Sequence, residues 1–190
     1  VRPLLNREEE LDIFARWRDA RTTGNRRVEN KLFEQITIQF SPIVKKAVKK
    51  MGGYGLDYRD MTSEALVALS RAVIDFDPSR GFRFATYAHT CILTTLYSYV
   101  TRNYFITNVC SNSNNKKVFF RLRRLMSEEI KRNGHSELTM ELCERLATTL
   151  GVDADTVMMM ATILRDPYSS LNQSVSEEDD GLTKQDLLVS

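Results

Sequence analysis

Phe76-Asp77-Pro78-Ser79-Arg80-Gly81-Phe82-Arg83-Phe84-Ala85-Thr86-Tyr87-Ala88 is the stretch on which the reading of this chain turns. Asp77-Pro78 ends one helix, because proline cannot continue a helical hydrogen-bond ladder and biases the residue before it away from the helical region. Gly81 then allows a tight turn, and Phe84 opens a second helix. Phe76, Phe82, Phe84 and Tyr87 crowd beside Arg80 and Arg83. Two arrangements fit that composition. The rings can pack as a core around a helical corner, or flat rings and guanidinium groups can line a surface for unstacked bases and a phosphate backbone. No catalytic constellation adjoins the stretch.

Working outward, the sequence reads as all-α, with no sustained strand alternation. Asn6 with Glu9 three residues on predicts a capped helix start, with Leu11, Phe14 and Trp17 carrying the helix to about Ala20. A loop at residues 21–25 precedes a helix from Arg26 to Phe40. Ser41-Pro42 is expected to break that helix and start another over Ile43–Met51. Gly52-Gly53-Tyr54-Gly55 is a turn and not a phosphate loop, since no Gly-Lys-Ser/Thr follows. Tyr58–Phe76 reads as a helix with Leu66, Leu69, Val73 and Phe76 on one buried stripe, and Phe84–Asn103 as the next. After a Ser/Asn-rich loop a basic helix runs to Asn133, with Gly134 as its stop. Leu138, Leu142, Leu146 and Leu150 mark a further helix. Leu146–Val152 reads as a helix-turn-helix bend, and Val157, Met160, Ile163 and Leu164 mark the last helix. The domain division is 1–106, 107–166, and an acidic linker over 167–190.

The 190 residues carry a net charge of only +2, unevenly spread. Residues 99–132 hold eight Lys/Arg against two Asp/Glu, a balance of +6, which marks the phosphate-facing part. Residues 133–164 and 165–190 each balance to −4. Cys91, Cys110 and Cys143 are odd in number and far apart, and with His89 and His135 they form no metal-ligand spacing, so small thiols in a reducing cytosol are expected. No metal, no cofactor and no enzymatic activity is expected. No apolar run reaches the length of a membrane span, and the start lacks a signal peptide's apolar region. The absence of an initiator Met points to a trimmed or excerpted N-terminus.

Three segments carry a resemblance. Asp60-Met61-Thr62-Ser63-Glu64-Ala65 is similar to Asp-Leu-x-Gln-Glu-Gly, Ala72-Val73-Ile74-Asp75-Phe76-Asp77 to Ala-Val-x-x-Phe-Asp, and Phe84-Ala85-Thr86-Tyr87-Ala88 to Phe-Ser-Thr-Tyr-Ala. These are motifs of the sigma-70 family, the promoter-reading initiation subunits of bacterial RNA polymerase. The resemblance covers nearly the whole chain and is strongest from Gly53 to Tyr104. It implies a helical region 2 domain followed by a small three-helix region 3 domain in a bacterial cytoplasmic protein.

The resemblance also implies roles. Asp60, Ser63 and Glu64 match contacts to the clamp coiled coil of core polymerase. Leu66 and Ser70 stand at further contact positions, where the family usually has Asn and Met. Phe76, Arg80 and Tyr87 match a pocket for a flipped adenine of the −10 element's non-template strand. Phe82, Arg83 and Thr86 match other strand contacts, and Thr94 lies further along the same DNA-facing helix. Thr90-Cys91 replaces a Trp-Trp pair that wedges open the upstream edge of the melted region, and Leu93 replaces a basic residue. Asn112 and Asn115 fall where an extended −10 motif is read, with Lys116 and Lys117 beside them. The acidic end resembles a linker that threads toward the polymerase active site, and the domain that reads the −35 element is absent from these residues. An anti-sigma factor is a further implied partner. The readings in competition are an initiation factor, a sigma-like regulator that binds polymerase without melting DNA, and a helical interaction scaffold. The missing tryptophans favour the second and the intact pocket match favours the first.

Overall fold

The computed structural model describes residues 5–106, 109–110, 112–133, 140–165, 170–174 and 183–188. They hold seven α-helices: α1 (Arg7–Thr22), α2 (Arg26–Lys50), α3 (Tyr58–Asp75), α4 (Phe84–Asn103), α5 (Ser113–Asn133), α6 (Met140–Leu150) and α7 (Ala154–Arg165). The fold is all-α, as expected, and no strand longer than one isolated bridge occurs among the described residues. Among them, no helix is long and apolar enough to cross a membrane. The chain divides into two compact units, Val1–Ile106 and Thr107–Ser190.

In the first unit, local chemistry sets most helix ends. The Asn6 side-chain oxygen accepts from the Glu9 amide at 2.8 Å while the Glu9 carboxylate accepts from the Asn6 amide at 2.9 Å, closing the expected capping box. Asp57 caps α3 by accepting from the Arg59 and Asp60 amides. α2 departs from expectation. It runs unbroken through Pro42, where a break was expected. Proline there cannot donate to the Ile38 carbonyl, and the Ser41 hydroxyl donates to that oxygen instead, at 2.9 Å. The preceding side chain thus supplies the bond that the proline removes.

The buried stripe of α3 is Met61, Ala65, Ala68, Leu69, Ala72 and Val73, continued by Phe76 at the helix end. Leu66 was expected on it but is 37% exposed. It lies about 100° around the helix from Ala65, and the small alanines, not Leu66, face the neighbouring helices. The core centres on Phe84. Its ring lies 4.9 Å from Phe14, 4.7 Å from Phe40 and 5.1 Å from Phe76, centroid to centroid. Rings from α1, α2, the end of α3 and the start of α4 therefore meet at one point, in tilted and edge-on geometries that add to simple area burial.

In the second unit Val118, Phe119 and Leu122 of α5 are buried, as are Cys143, Leu146 and Ala147 of α6 and Val157, Met160, Ala161 and Leu164 of α7. Gly151 takes φ +63 to end α6, a left-handed conformation that favours glycine. Ser174 and Thr183 form the isolated antiparallel bridge, with the Lys184 amide donating to the Gln173 carbonyl. The expected stop at Gly134, the first leucine of the repeat at Leu138, and the acidic run Glu177–Asp180 within the expected linker lie outside the described residues.

Phe40 is fully buried and meets the cluster through Phe84, so Phe40→Ala probes the core's contribution. The expected loss is about 3–5 kcal/mol in urea unfolding. A loss below about 1 kcal/mol would remove the ring cluster from the centre of this unit's stability.

Candidate nucleic-acid interface

The turn between α3 and α4 forms the floor and rim of a cavity of about 390 Å³, lined by Asp75, Phe76, Asp77, Arg80, Phe82, Thr86, Tyr87 and Thr90. That volume lies within the range of small-ligand sites, about 300–1,000 Å³. Phe76 is buried at the floor and packs 5.7 Å from the half-buried ring of Tyr87. Phe82 stands at the rim, 70% exposed, and Arg80 is exposed beside it. An isolated phenylalanine so far out in water contributes nothing to the core; its place is beside an open apolar site.

The turn is rigidly specified. Gly81 takes φ +76, and its amide donates to the Pro78 carbonyl. The Asp77 carboxylate accepts from the Ser79 amide at 3.0 Å and lies 3.5 Å from the Arg18 guanidinium. The Ser79 bonds, then Arg18, hold the Asp77 carboxyl below its usual range. Arg18 also donates to the Phe76 carbonyl at 2.8 Å, and Arg7 to the Gly81 carbonyl at 3.4 Å.

Several site residues serve differently from the sequence expectation. Arg83 is not a free strand contact. Its guanidinium donates to the Glu10 carboxylate at 3.0 Å and to the Leu5 carbonyl at 2.6 Å. Thr90 lines the cavity, but its hydroxyl donates to the Thr86 carbonyl at 3.1 Å. Thr94, exposed one turn on and outside the cavity, donates likewise to Thr90 at 2.9 Å. Cys91 is half-exposed, outside the lining set, and close enough to the Tyr87 phenol to affect its ionisation. In the second unit, Asn112 caps α5 by accepting from the Asn115 amide at 2.7 Å. Asn115, which falls where the resemblance implies an extended −10 contact, is only 9% exposed and donates its carboxamide to the Val109 carbonyl at 2.9 Å, which anchors the loop before α5. Lys116 is half-exposed and Lys117 exposed. Arg124 pairs with Glu128 at 2.8 Å.

A separate surface occupies the outer side of α3. Asp60, Ser63, Glu64 and Leu66 are exposed there, with Ser70 half-buried. Val67 and Ile74 are also exposed on this helix. The Ser63 hydroxyl donates to the Arg59 carbonyl at 3.0 Å, which leaves it an acceptor toward any partner. Tyr99 of α4 lies close enough to Asp60, Glu64 and Asp57 to feel their charge. Val67, Ile74, Tyr99, the cavity acid Asp75 and the buried acid Glu10 were all missed in the sequence. For Val67 and Ile74 a signal was present: they share helical spacing with Ser63 and Ser70.

Burial raises the pKa of the Tyr87 phenol, with the neighbouring Cys91 adding to it, and burial followed by the nearby carboxylates raises that of Tyr99. Both are acids whose neutral form the fold favours. Their stabilisation is therefore fully present below the ordinary tyrosine value of 10.0 and is lost as pH rises through the higher folded values. In an alkaline absorbance titration, Tyr87→Phe and Tyr99→Phe should each delete a late-titrating phenolate. Loss of an early-titrating one would contradict the burial described here.

Comparison with known proteins fits this geometry. Residues 38–105, which carry α3, the turn and α4, match the family described as Sigma-70 region 2. The chain is 31% identical over 188 residues to the RNA polymerase sigma factor RpoH of Zymomonas mobilis, covering 98% of this chain and 59% of that protein. It is 30% identical over 170 residues to RpoH of Caulobacter vibrioides, covering 90% and 55%. It is 26% identical over 178 residues to the RNA polymerase sigma-C factor of Myxococcus xanthus, covering 94% and 57%. The chain thus spans somewhat over half the length of these curated relatives. Residues 38–105 thus match the Sigma-70 region 2 family, and the chain is similar to these sigma factors over most of its own length.

Proposed function

We propose that this chain acts in transcription initiation as a sigma factor, binding core RNA polymerase through α3 and capturing an unpaired base of the −10 element's non-template strand in the cavity at the start of α4. The observation that carries this is the cavity itself: aromatic floor and wall, an exposed ring at the rim, and one free-standing guanidinium. Asp75 and Asp77 line the same cavity, so it disfavours a phosphate inside. An uncharged ring with an exocyclic amino group suits it better: the rings stack and the carboxylates accept. The phosphates then lie outside, near Arg80.

The outer side of α3 suits a protein partner. Leu66, Val67 and Ile74 offer apolar area, and Asp60 and Glu64 offer carboxylates to a basic helical surface such as the polymerase clamp coiled coil. An anti-sigma factor would compete for this side. Lys117 and Arg121, exposed on α5, are placed to meet upstream phosphates, with Lys116 beside them and Asn112 at the helix cap. Such a factor works in the bacterial cytoplasm and performs no catalysis itself.

A second reading has a specific observation behind it. At the wedge position Thr90 and Cys91 are small, and the Thr90 hydroxyl is already bonded within its own helix. They offer little area to replace a stacked base pair. Polymerase binding and base capture therefore persist on this reading, while duplex opening needs a pre-melted template or an activator.

With the chain on core polymerase, Tyr87→Ala should weaken binding of the −10 non-template strand by about 1–3 kcal/mol, the worth of one stacked base. Arg80→Ala should weaken it and flatten its salt dependence. Unchanged affinity in both folded variants sinks the base-capture reading. Glu64→Lys should abolish recovery of polymerase in a pull-down at undiminished helicity, since like charges would then meet; full recovery would remove α3 from the interface. The natural protein should open a bubble template far better than the matched duplex, and Thr90→Trp with Cys91→Trp should narrow that gap. Equal opening of both templates by the natural protein, with no gain from the tryptophans, would discard the second reading.

A further inference from the structure

We propose that α1 is a strap that holds the base cavity in its binding shape, and that Glu10 is its positioning residue. The proposal rests on the base-capture reading above.

α4 starts badly by its own sequence. Its cap residue Arg83 makes no capping side-chain bond to the helix, and its first turn contains no acid. Four helix-start amides with a cation beside them are electrostatically unfavourable. The missing cap comes from 74 residues away. The Glu10 carboxylate accepts from the Phe84 amide at 2.7 Å through one oxygen and from the Arg83 guanidinium at 3.0 Å through the other. Glu10 is 3% exposed. A carboxylate removed from water to that degree needs both partners, so the pair is fixed in geometry.

Beyond the Ser79 bond within the turn and the Arg83 bond to Leu5 just before α1, two further side-chain ties to the turn come from α1. Arg18 holds the Phe76 carbonyl and faces Asp77, and Arg7 holds the Gly81 carbonyl. The turn is thus held at its start by Arg18, in its middle by Arg7 and at its end by Glu10. Phe14 of the same helix packs 5.0 Å from Phe76 and 4.9 Å from Phe84, beneath the cavity floor. Arg80, Phe82, Thr86, Tyr87 and Thr90 hang from backbone that α1 positions. A ligand-binding surface whose shape is fixed before binding avoids the ordering cost that a mobile one incurs. Loss of the strap should therefore remove the cavity's grip on a base while leaving backbone phosphate contacts in place.

The test compares two −10 non-template oligonucleotides, identical except that one is abasic at the captured position, each bound to the chain on core polymerase. The natural protein should prefer the intact strand by about 5- to 150-fold, the equivalent of one stacked base. Glu10→Ala should reduce that preference toward one, mainly by weakening the intact strand, with little change in affinity for the abasic strand or in its salt slope. Glu10→Gln keeps an acceptor for the Phe84 amide and should restore part of the preference. Arg18→Ala and Arg7→Ala, at exposed or half-buried positions, should each lower it partially; they carry the test if Glu10→Ala does not fold. If Glu10→Ala weakens both strands equally, Glu10 is a stability residue and the strap is overturned. A full natural preference retained in Glu10→Ala, or in both arginine variants, overturns it as well. Tyr87→Ala separates the two claims. If the natural protein shows no preference and Tyr87→Ala changes nothing, base capture fails and the strap with it. If Tyr87→Ala removes a preference that the α1 variants leave intact, only the strap fails.

Discussion

The ring of Phe84 is the point on which the first unit depends. It touches rings from α1, α2 and the end of α3, and it is itself the first residue of α4. Fixing it fixes where α3 must stop and where α4 must start. The seven residues between Phe76 and Phe84 must then close a short gap, and Asp77, Pro78 and Gly81 supply the turn chemistry that permits it. The cavity is what remains on the outer side of that closure. Its inner wall is core and its outer wall is turn, so one set of residues packs the core on one face and lines the proposed recognition site on the other.

This double use explains how much of the site was legible beforehand. The two readings of the aromatic stretch were core packing or base stacking, and the structure buries some of the rings and leaves others at the surface. Phe84 is core, Phe82 is exposed, and Phe76 and Tyr87 touch both environments. Composition identified the right stretch because aromatic density is local. Asn6, Asp57 and Gly151 were or would be readable for the same reason: caps act within three or four residues. Failures occurred where a partner was distant or a neighbour intervened. Ser41 rescues the helix that Pro42 should break, a bond that proline statistics ignore. Arg83 has a strand-contact motif around it but is engaged by Glu10, 73 residues earlier. Glu10 had no signal at all, since an acid in the first turn of a helix is ordinarily a solvated dipole partner. Asn115 looked like an exposed amide in a polar loop until the Val109 carbonyl claimed it.

Charge gives the site its selectivity in kind. The long-range pattern, positive over residues 99–132 and negative beyond, predicts where phosphates are welcome. The cavity differs from that pattern. It combines one arginine with two aspartates, one of which is held ionised by Ser79 and Arg18. On the proposed reading, an apolar slot with acceptor groups and little net charge suits a nucleobase better than a phosphate, which would separate recognition of the base from attraction of the strand. On the same reading the small side chains of Thr90, at the cavity's edge, and Cys91, outside it, bear on a different step, the exclusion of the neighbouring base pair.

The most direct test of the account is a high-resolution structure of this chain on core RNA polymerase with a forked promoter whose −10 non-template strand is unpaired. The account predicts one base out of the strand's stack and inside the cavity, against Tyr87 and Phe76, with the adjoining phosphate near Arg80 and the Glu10 bonds to Arg83 and Phe84 unchanged. A strand that tracks past an empty cavity, or a base held elsewhere on α4, would contradict it.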